Sequence, residues 1–90
     1  MRINKGFVLR EVGDEKVIVG EGLEAVNFGR LLVLNESAVW LWEQAQAMGD
    51  FNVELLANRL CDRYDVTMDE ALKDVTEMID EWKNIGVVEE

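Results

Sequence analysis

Residues 34–88 decide the fold of this chain and read LNESAVWLWEQAQAMGDFNVELLANRLCDRYDVTMDEALKDVTEMIDEWKNIGVV. Three residues in this stretch are typical helix N-caps, and each stands just before a segment whose apolar residues repeat every three or four positions. These caps are Asn35, Asn52 and Thr67. Glu70 follows Thr67 at the capping-box spacing, in which the hydroxyl accepts from the N–H of the glutamate and the carboxylate accepts from the N–H of the cap. The stretch therefore predicts three helices.

Glycines and apolar faces indicate where these helices end and what they bury. Gly49 is placed to stop the first helix, and Gly86 is placed to end the third in the left-handed conformation. The apolar faces of the first two helices comprise Ala38, Leu41, Trp42, Ala45, Val53, Leu56, Ala57, Leu60 and Tyr64. We expect the helices to lie within residues 36–86 and to pack as a bundle, with Val87 and Val88 beyond the last one.

The first third of the chain has the pattern of strands. Phe7–Val12 alternates with a period of two, and residues 17–19 follow the turn at Gly13 and Asp14, which predicts an antiparallel hairpin. Residues 30–34 form a third predicted strand. Residues 23–28 are consistent either with a loop or with an irregular strand.

Together these elements predict one α+β domain over residues 1–90. It is winged-helix-like, with a three-stranded antiparallel sheet within residues 6–34 followed by a three-helix bundle. Hydrophobic residues make up 49% of the chain, enough for a core. The longest apolar run, residues 31–34, is far short of the ~20 residues of a membrane span, and the N-terminal residues lack the apolar segment of a signal peptide. Because Cys61 is the only cysteine, we expect a cytoplasmic protein.

The negative charge is concentrated in the helical half. The chain has a net charge of −10, and residues 36–90 carry all of it, with 14 acidic and 4 basic side chains. Such a surface repels nucleic acid and anionic membranes, both of which are bound mainly through Lys and Arg. A winged-helix shape would otherwise suggest that the third helix reads DNA, but that helix is itself acidic. The carboxylates either keep a small domain in solution or form an acidic docking surface.

The sequence contains few residues that could carry out catalysis or bind a metal ion. The chain has no histidine, so Cys61 lacks the usual base of a nucleophile, and we interpret it as a small, half-buried filler beside Leu60. No cysteine cluster, Gly-rich phosphate loop or EF-hand spacing is present. We therefore expect no enzymatic activity, no cofactor and no bound metal.

The third helix has a wide apolar surface. At 100° per residue, its apolar arc is about 140° wide, whereas a helix that only packs on a core needs about 100°. Leu72, Val75, Ile79 and Trp82 form one part of the arc, Met78 and Ile85 extend it at one edge, and Asp74 and Glu81 form the rim beyond that edge. Either the strands cover the Met78 edge, or it stays partly open.

The third predicted strand is also more apolar than a strand with one face in water. Residues 31–34 are apolar on both faces, although a strand with one face in water usually alternates. Either the fold covers this strand, or its edge accepts a partner as an added strand. Trp40 lies opposite the core face of the first helix. It is a surface aromatic, a contact for a partner or, as we expect, a lid over residues 23–28.

One family shares the order of these motifs. The motifs are Gly6-Phe7 to Val12, Leu34-Asn35, Leu41-Trp42, Leu56-Ala57, Asp74-Val75 and Gly86-Val87-Val88. Their order resembles the PQQ-biosynthesis protein D (PqqD) family, small domains also called RiPP recognition elements. The resemblance implies a non-catalytic peptide-binding module. Such a module captures the leader of a ribosomally made precursor peptide and presents it to a radical SAM enzyme or another peptide-modifying enzyme.

The resemblance also implies a binding site. In the family the leader lies as an extra strand against the third strand, in a groove closed by the third helix. The matching positions are Arg30, Leu31, Leu32, Val33, Leu34, Asp74, Val75, Met78, Ile79, Glu81, Trp82 and Ile85. The alternative function is a structural or regulatory subunit that docks on a larger enzyme through its acidic helices, and a weaker one is a winged-helix DNA-binding regulator.

Overall fold

The computed structural model describes residues 1–20 and 31–89 of the protein. The elements in chain order are β1 (Arg2–Ile3), β2 (Phe7–Val12), β3 (Glu15–Gly20), β4 (Leu31–Leu34), α1 (Glu36–Met48), α2 (Val53–Arg63), α3 (Met68–Ile85) and β5 (Val88–Glu89). The α+β prediction of a three-stranded antiparallel sheet followed by three helices is confirmed. Among the described residues, none of the helices is long and apolar enough to cross a membrane.

The main sheet has the strand order β2-β3-β4, with both pairs antiparallel. β2 and β3 form the predicted hairpin, which turns at Gly13 with a φ of 62°. That angle lies in the left-handed region, which glycine adopts without a steric penalty. β4 begins at Leu31, so the predicted start of this strand at Arg30 lies outside the described residues, as does the question of residues 23–28.

The pairing of β3 with β4 determines which side chains of β4 reach the core. Ile18 stands opposite Leu32, and the two are 1% and 7% exposed. Because successive side chains of a strand point to opposite faces, Leu34 faces the core with Leu32, and Val33 points away. Leu34 is 8% exposed and Val33 is 55% exposed. The double-sided apolar strand thus has two core residues and one surface residue among its described side chains.

All three predicted N-caps are confirmed. The Asn35 side chain accepts from the Ala38 N–H at 2.9 Å, and the Asn52 side chain accepts from the Leu55 N–H at 2.8 Å. Each bond satisfies one of the N–H groups that the first turn of a helix leaves without an intrahelical partner.

The third cap, at α3, differs from the predicted capping box in one bond. The Thr67 hydroxyl accepts from the Glu70 N–H at 3.2 Å, as predicted, and it donates to the Glu70 carboxylate, also at 3.2 Å. The carboxylate therefore meets the hydroxyl of the cap, where a capping box would place it on the Thr67 N–H. Gly86 ends the helix in the left-handed conformation with a φ of 92°, which confirms the predicted terminator.

The core lies between the sheet and the helices. Its buried residues include Ile18, Leu32, Leu34, Leu41, Trp42, Ala45, Phe51, Leu56, Ala57, Leu60, Ala71, Val75, Ile79, Trp82, Val87 and Val88. At its centre the Trp42 and Trp82 rings meet edge to face, with centroids 5.6 Å apart and planes at 76°. In this arrangement the positive edge of one ring contacts the negative face of the other. The contact joins α1 to α3.

A second, two-stranded sheet was not predicted. β1 pairs antiparallel with β5 in the register Arg2 to Glu89 and Ile3 to Val88. The Asn4 N–H extends the contact by donating to the Val87 carbonyl at 2.7 Å, and its side chain donates to the Gly86 carbonyl at 3.1 Å. Val87 and Val88, which the sequence placed beyond the last helix without further structure, are thereby held in the core.

The β4–α3 groove

A surface groove of about 350 Å³ separates β4 and the start of α1 from α3. We call it the β4–α3 groove. Its lining residues are Val33, Asn35, Ser37, Ala38, Leu41, Leu60, Asp74, Glu77, Met78 and Glu81. The groove has three parts, namely a strand wall, a helix wall and an apolar floor.

The strand wall is β4, which is an edge strand among the described residues. Among the described residues, β4 pairs with β3 on one side and with no strand on the other. The backbone N–H and C=O groups of a strand point alternately to its two sides, so two of the four residues of β4 direct theirs away from β3. These groups are a template for one more strand. Val33, 55% exposed, is the apolar side chain that this edge contributes to the groove.

The helix wall is one stripe of α3. Asp74, Glu77, Met78 and Glu81 stand at positions i, i+3, i+4 and i+7, which lie on the same side of a helix. The stripe faces the groove because the opposite side of α3 is anchored in the core. Ala71, Val75, Ile79 and Trp82 are the buried residues of that anchor.

The floor is apolar and continuous with the core. Leu41 of α1 is 3% exposed, and Leu60 of α2 is 6% exposed. Ala38 and Met78 are half-buried and lie above them on opposite walls. An apolar side chain that enters the groove would therefore contact carbon atoms below it and on both sides, and would lose its hydration.

The rim of the groove is negative. Asp74, Glu77 and Glu81 are exposed, and no Lys or Arg is among the described lining residues. In the part of the chain that the structure describes, none of these three carboxylates forms a salt bridge. Among the described residues, the groove thus combines an apolar floor, unpaired carboxylates and backbone groups without a strand partner, and an extended peptide can bind to all three.

The structure brings four of the predicted site residues together. Val33, Asp74, Met78 and Glu81 all line the groove. Met78 is half-buried, so the edge of the wide apolar arc stays partly open. Leu31 contributes its backbone to β4, and Arg30 lies outside the described residues.

The other predicted site residues do not line the groove. Val75, Ile79 and Trp82 are at most 1% exposed, and Leu32 and Leu34 face the core. Their burial gives no support to direct contact with a ligand, and they hold the two walls in place instead. Ile85 is half-buried outside the described lining. Leu72, expected in the core, is also half-buried, because Ala71 takes the core position of the first turn.

Sequence reasoning missed a part of the site. Glu77 stands three residues after Asp74 and four residues before Glu81, and a search for further polar residues at this helical spacing would have found it. The start of α1, with Asn35, Ser37 and Ala38, carries no comparable signal. It reaches the groove only because the chain turns from the edge strand directly into a helix.

Trp40 packs against the end of α2. The centroids of the Trp40 and Tyr64 rings are 6.1 Å apart, and the ring planes are at 78°. The Arg63 guanidinium lies 5.3 Å from the centre of the Trp40 ring. A contact with residues 23–28, as expected for a lid, lies outside the described residues. The described contacts show an aromatic and cation–π cluster at the surface between α1 and α2.

Cys61 is half-buried, as expected for a filler. Its thiol lies 3.9 Å from the Met68 sulfur, in a contact between the end of α2 and the start of α3. In residues 1–20 and 31–89, no group of three or more Cys, His, Asp or Glu side chains is arranged to hold a metal ion.

Comparison with known proteins identifies relatives of this chain. The family model described as coenzyme PQQ synthesis protein D (PqqD) matches residues 8–88. A solved structure described as TbiB1 in complex with the TbiA(beta) leader peptide has the same fold, with a TM-score of 0.78 over 99% of this chain and 95% of that one. The two sequences are 18% identical. No curated protein matches the chain.

Proposed function

The chain belongs to the PqqD family, and from this membership and the β4–α3 groove we propose that it is a non-catalytic module that binds a leader peptide. The leader is that of a ribosomally made precursor, and the module presents it to a separate modifying enzyme. The observation that carries the proposal is a strand edge with no partner among the described residues, beside a groove with an apolar floor and a half-buried Met78. An extended peptide can use both at once.

The leader would bind by adding a strand to the sheet. Two residues of β4 offer up to four backbone hydrogen bonds, and each contributes about 0.5–1.5 kcal/mol net. An apolar side chain of the leader would pack against Val33 and Met78 above Leu41. Full burial of a Val- or Leu-sized side chain contributes about 1.5–3 kcal/mol. Both contributions act against the cost of ordering the peptide.

The structural neighbour supports this mode of action. TbiB1 was solved with a leader peptide bound, and its fold covers almost the whole of this chain. A fold that holds a leader in one protein has the architecture that the same task needs in another. The residues that would recognise the leader here are those of the groove, with Val33 and Met78 as apolar contacts and Asp74 and Glu81 beside them.

The proposed role requires a partner enzyme. A module that binds a leader and carries no reactive centre needs a second protein for the chemistry, and the resemblance to the PqqD family favours a radical SAM enzyme. We place the module in the cytoplasm, where precursors are made. An interaction subunit that docks on a larger enzyme without binding a leader is the competing function.

Amide shift mapping by NMR tests the proposal. The labelled domain is titrated with the leader of a precursor that is encoded next to a radical SAM enzyme and to this protein. We expect shifts in β4 and along residues 74–81. Shifts confined to α1 and α2, with β4 unaffected, would show that this site is wrong and would favour the interaction subunit.

A further inference from the structure

We infer that the β4–α3 groove selects a cationic leader, in which Lys or Arg residues flank the apolar side chain that packs on Val33 and Met78. This inference rests on the proposed function and names the class of peptide that the site accepts. It is carried by the placement of charge around the groove, which follows from the helix geometry of α3 and from a second depression at the end of β4.

Three carboxylates of α3 line the groove. On a wheel of 100° per residue, Asp74, Glu77 and Glu81 lie within about 60° of one another, on the groove side. Lys73 lies about 40° from Glu77 on the same wheel and Lys83 about 120° from it, and neither lysine lines the groove. The charged side chains that α3 contributes to the described lining are therefore all negative.

This arrangement has a cost for the free protein. Glu77 stands three residues after Asp74 and four residues before Glu81, and like charges at these spacings destabilise a helix. The described structure gives none of the three an ion pair. A cationic side chain in the groove would offset the repulsion of all three, whereas an anionic one would add to it.

A second depression continues the acidic rim on the other side of Val33. It has a volume of about 710 Å³ and lies beside the β2–β3 turn. It shares Val33 and Asn35 with the β4–α3 groove, so the two depressions meet at the end of β4. Its charged lining residues are Asp14, Glu15, Glu36 and Lys16.

An extended peptide fits this distribution of charge. Side chains two positions apart on a strand point to the same face and stand about 7 Å apart. A peptide with an apolar residue over Val33 and basic residues two positions to either side would direct one of them to the α3 stripe. The other would reach the depression beside the turn, where three carboxylates stand against one ammonium group.

The test uses random dodecapeptides displayed on phage, selected against the immobilised full chain at low salt. We expect the enriched peptides to carry Lys or Arg on both sides of a central apolar residue. One enriched peptide is then synthesised, labelled with fluorescein, and titrated with three proteins by anisotropy. The proteins are the wild type, the groove variant D74N/E77Q/E81Q, and the matched variant E43Q/D62N/D80N.

The matched variant removes three exposed carboxylates that do not line either depression, so both variants have the same net charge. Partly exposed ion pairs contribute about a factor of two to three each. We therefore expect the groove variant to bind about 10-fold more weakly and the matched variant to lose less than twofold. The difference should disappear in 1 M NaCl, where charges are screened within about 3 Å. Circular dichroism checks that both variants are folded.

Three results would overturn the inference. An equal loss of affinity in both variants would mean that the whole negative surface attracts the peptide without a site. Enriched peptides that are neutral or acidic, with amide shifts in β4 and α3, would refute charge selection but leave leader binding intact. Enriched peptides whose shifts lie outside the groove would refute charge selection and the proposed function together.

Discussion

Substitutions at two neighbouring residues of α3 are expected to separate effects on folding stability from effects on peptide binding. Met78 is half-buried and lines the groove, whereas Ile79 is 1% exposed and belongs to the core. We compare Met78→Gln, which keeps the length and the helix propensity of the side chain, with Ile79→Val, which removes one buried methyl group.

The two substitutions are expected to cost similar amounts of folding free energy. Ile79→Val lowers it by about 0.5–1.5 kcal/mol, through the lost transfer energy and the small cavity. Met78→Gln loses the apolar contact of a side chain that is only partly covered, which is about 1 kcal/mol. In a domain of this size, 1 kcal/mol lowers the melting temperature by about 4–8 °C. Thermal unfolding followed by circular dichroism measures both.

Their effects on peptide binding are expected to differ. With a leader in the groove, the side-chain amide that Met78→Gln introduces would be covered by an apolar side chain, and burying an amide without a hydrogen bond costs about 1–3 kcal/mol. Affinity should therefore fall about 5- to 150-fold for Met78→Gln and by less than twofold for Ile79→Val. The assay is fluorescence anisotropy with a labelled leader, at a temperature where both variants are folded. Equal losses of affinity, or full affinity in Met78→Gln, would refute the assignment of Met78 to the site.

Other expectations concern stability and chemistry. Asn35→Ala removes the cap of α1 and should cost about 0.5–2 kcal/mol in a urea titration, with Asn35→Asp as the control that retains a capping oxygen. Gly86→Ala should cost about 1–2 kcal/mol from the left-handed φ alone, because a Cβ there meets no atom within 4 Å; an unchanged melting temperature would contradict this. Protein purified without added metal should contain no stoichiometric transition metal by elemental analysis. The acidic domain should leave random duplex DNA unshifted in a gel at physiological salt, and a shifted band would revive the DNA-binding alternative.

Sequence alone was sufficient for the features that depend on near neighbours. An N-cap binds an N–H three residues away, so Asn35, Asn52 and Thr67 could be identified without any tertiary information. The same holds for the hairpin turn at Gly13 and for the terminator at Gly86, since both depend on the φ of a single glycine. The order of these local signals was also enough for the α+β fold and for the resemblance to the PqqD family.

The sheet of β1 and β5 depended on tertiary structure. Each strand has two residues, too few to show a period, and the pair joins residues that are 85 or more positions apart. Capping and turn signals act over a few residues and contain no information about such a pair.

The composition of the groove was likewise beyond the sequence. The helix wheel identified an apolar arc on α3. The wheel cannot distinguish the arc residues that the rest of the fold buries from those that stay at the surface. Packing against α2 and the rest of the core buried Val75, Ile79 and Trp82 and left Met78 at the opening. The start of α1 joined the lining of the groove because β4, an edge strand among the described residues, turns directly into a helix. Charge and periodicity determined which residues could line a site, and only the packing of distant segments decided which of them face it.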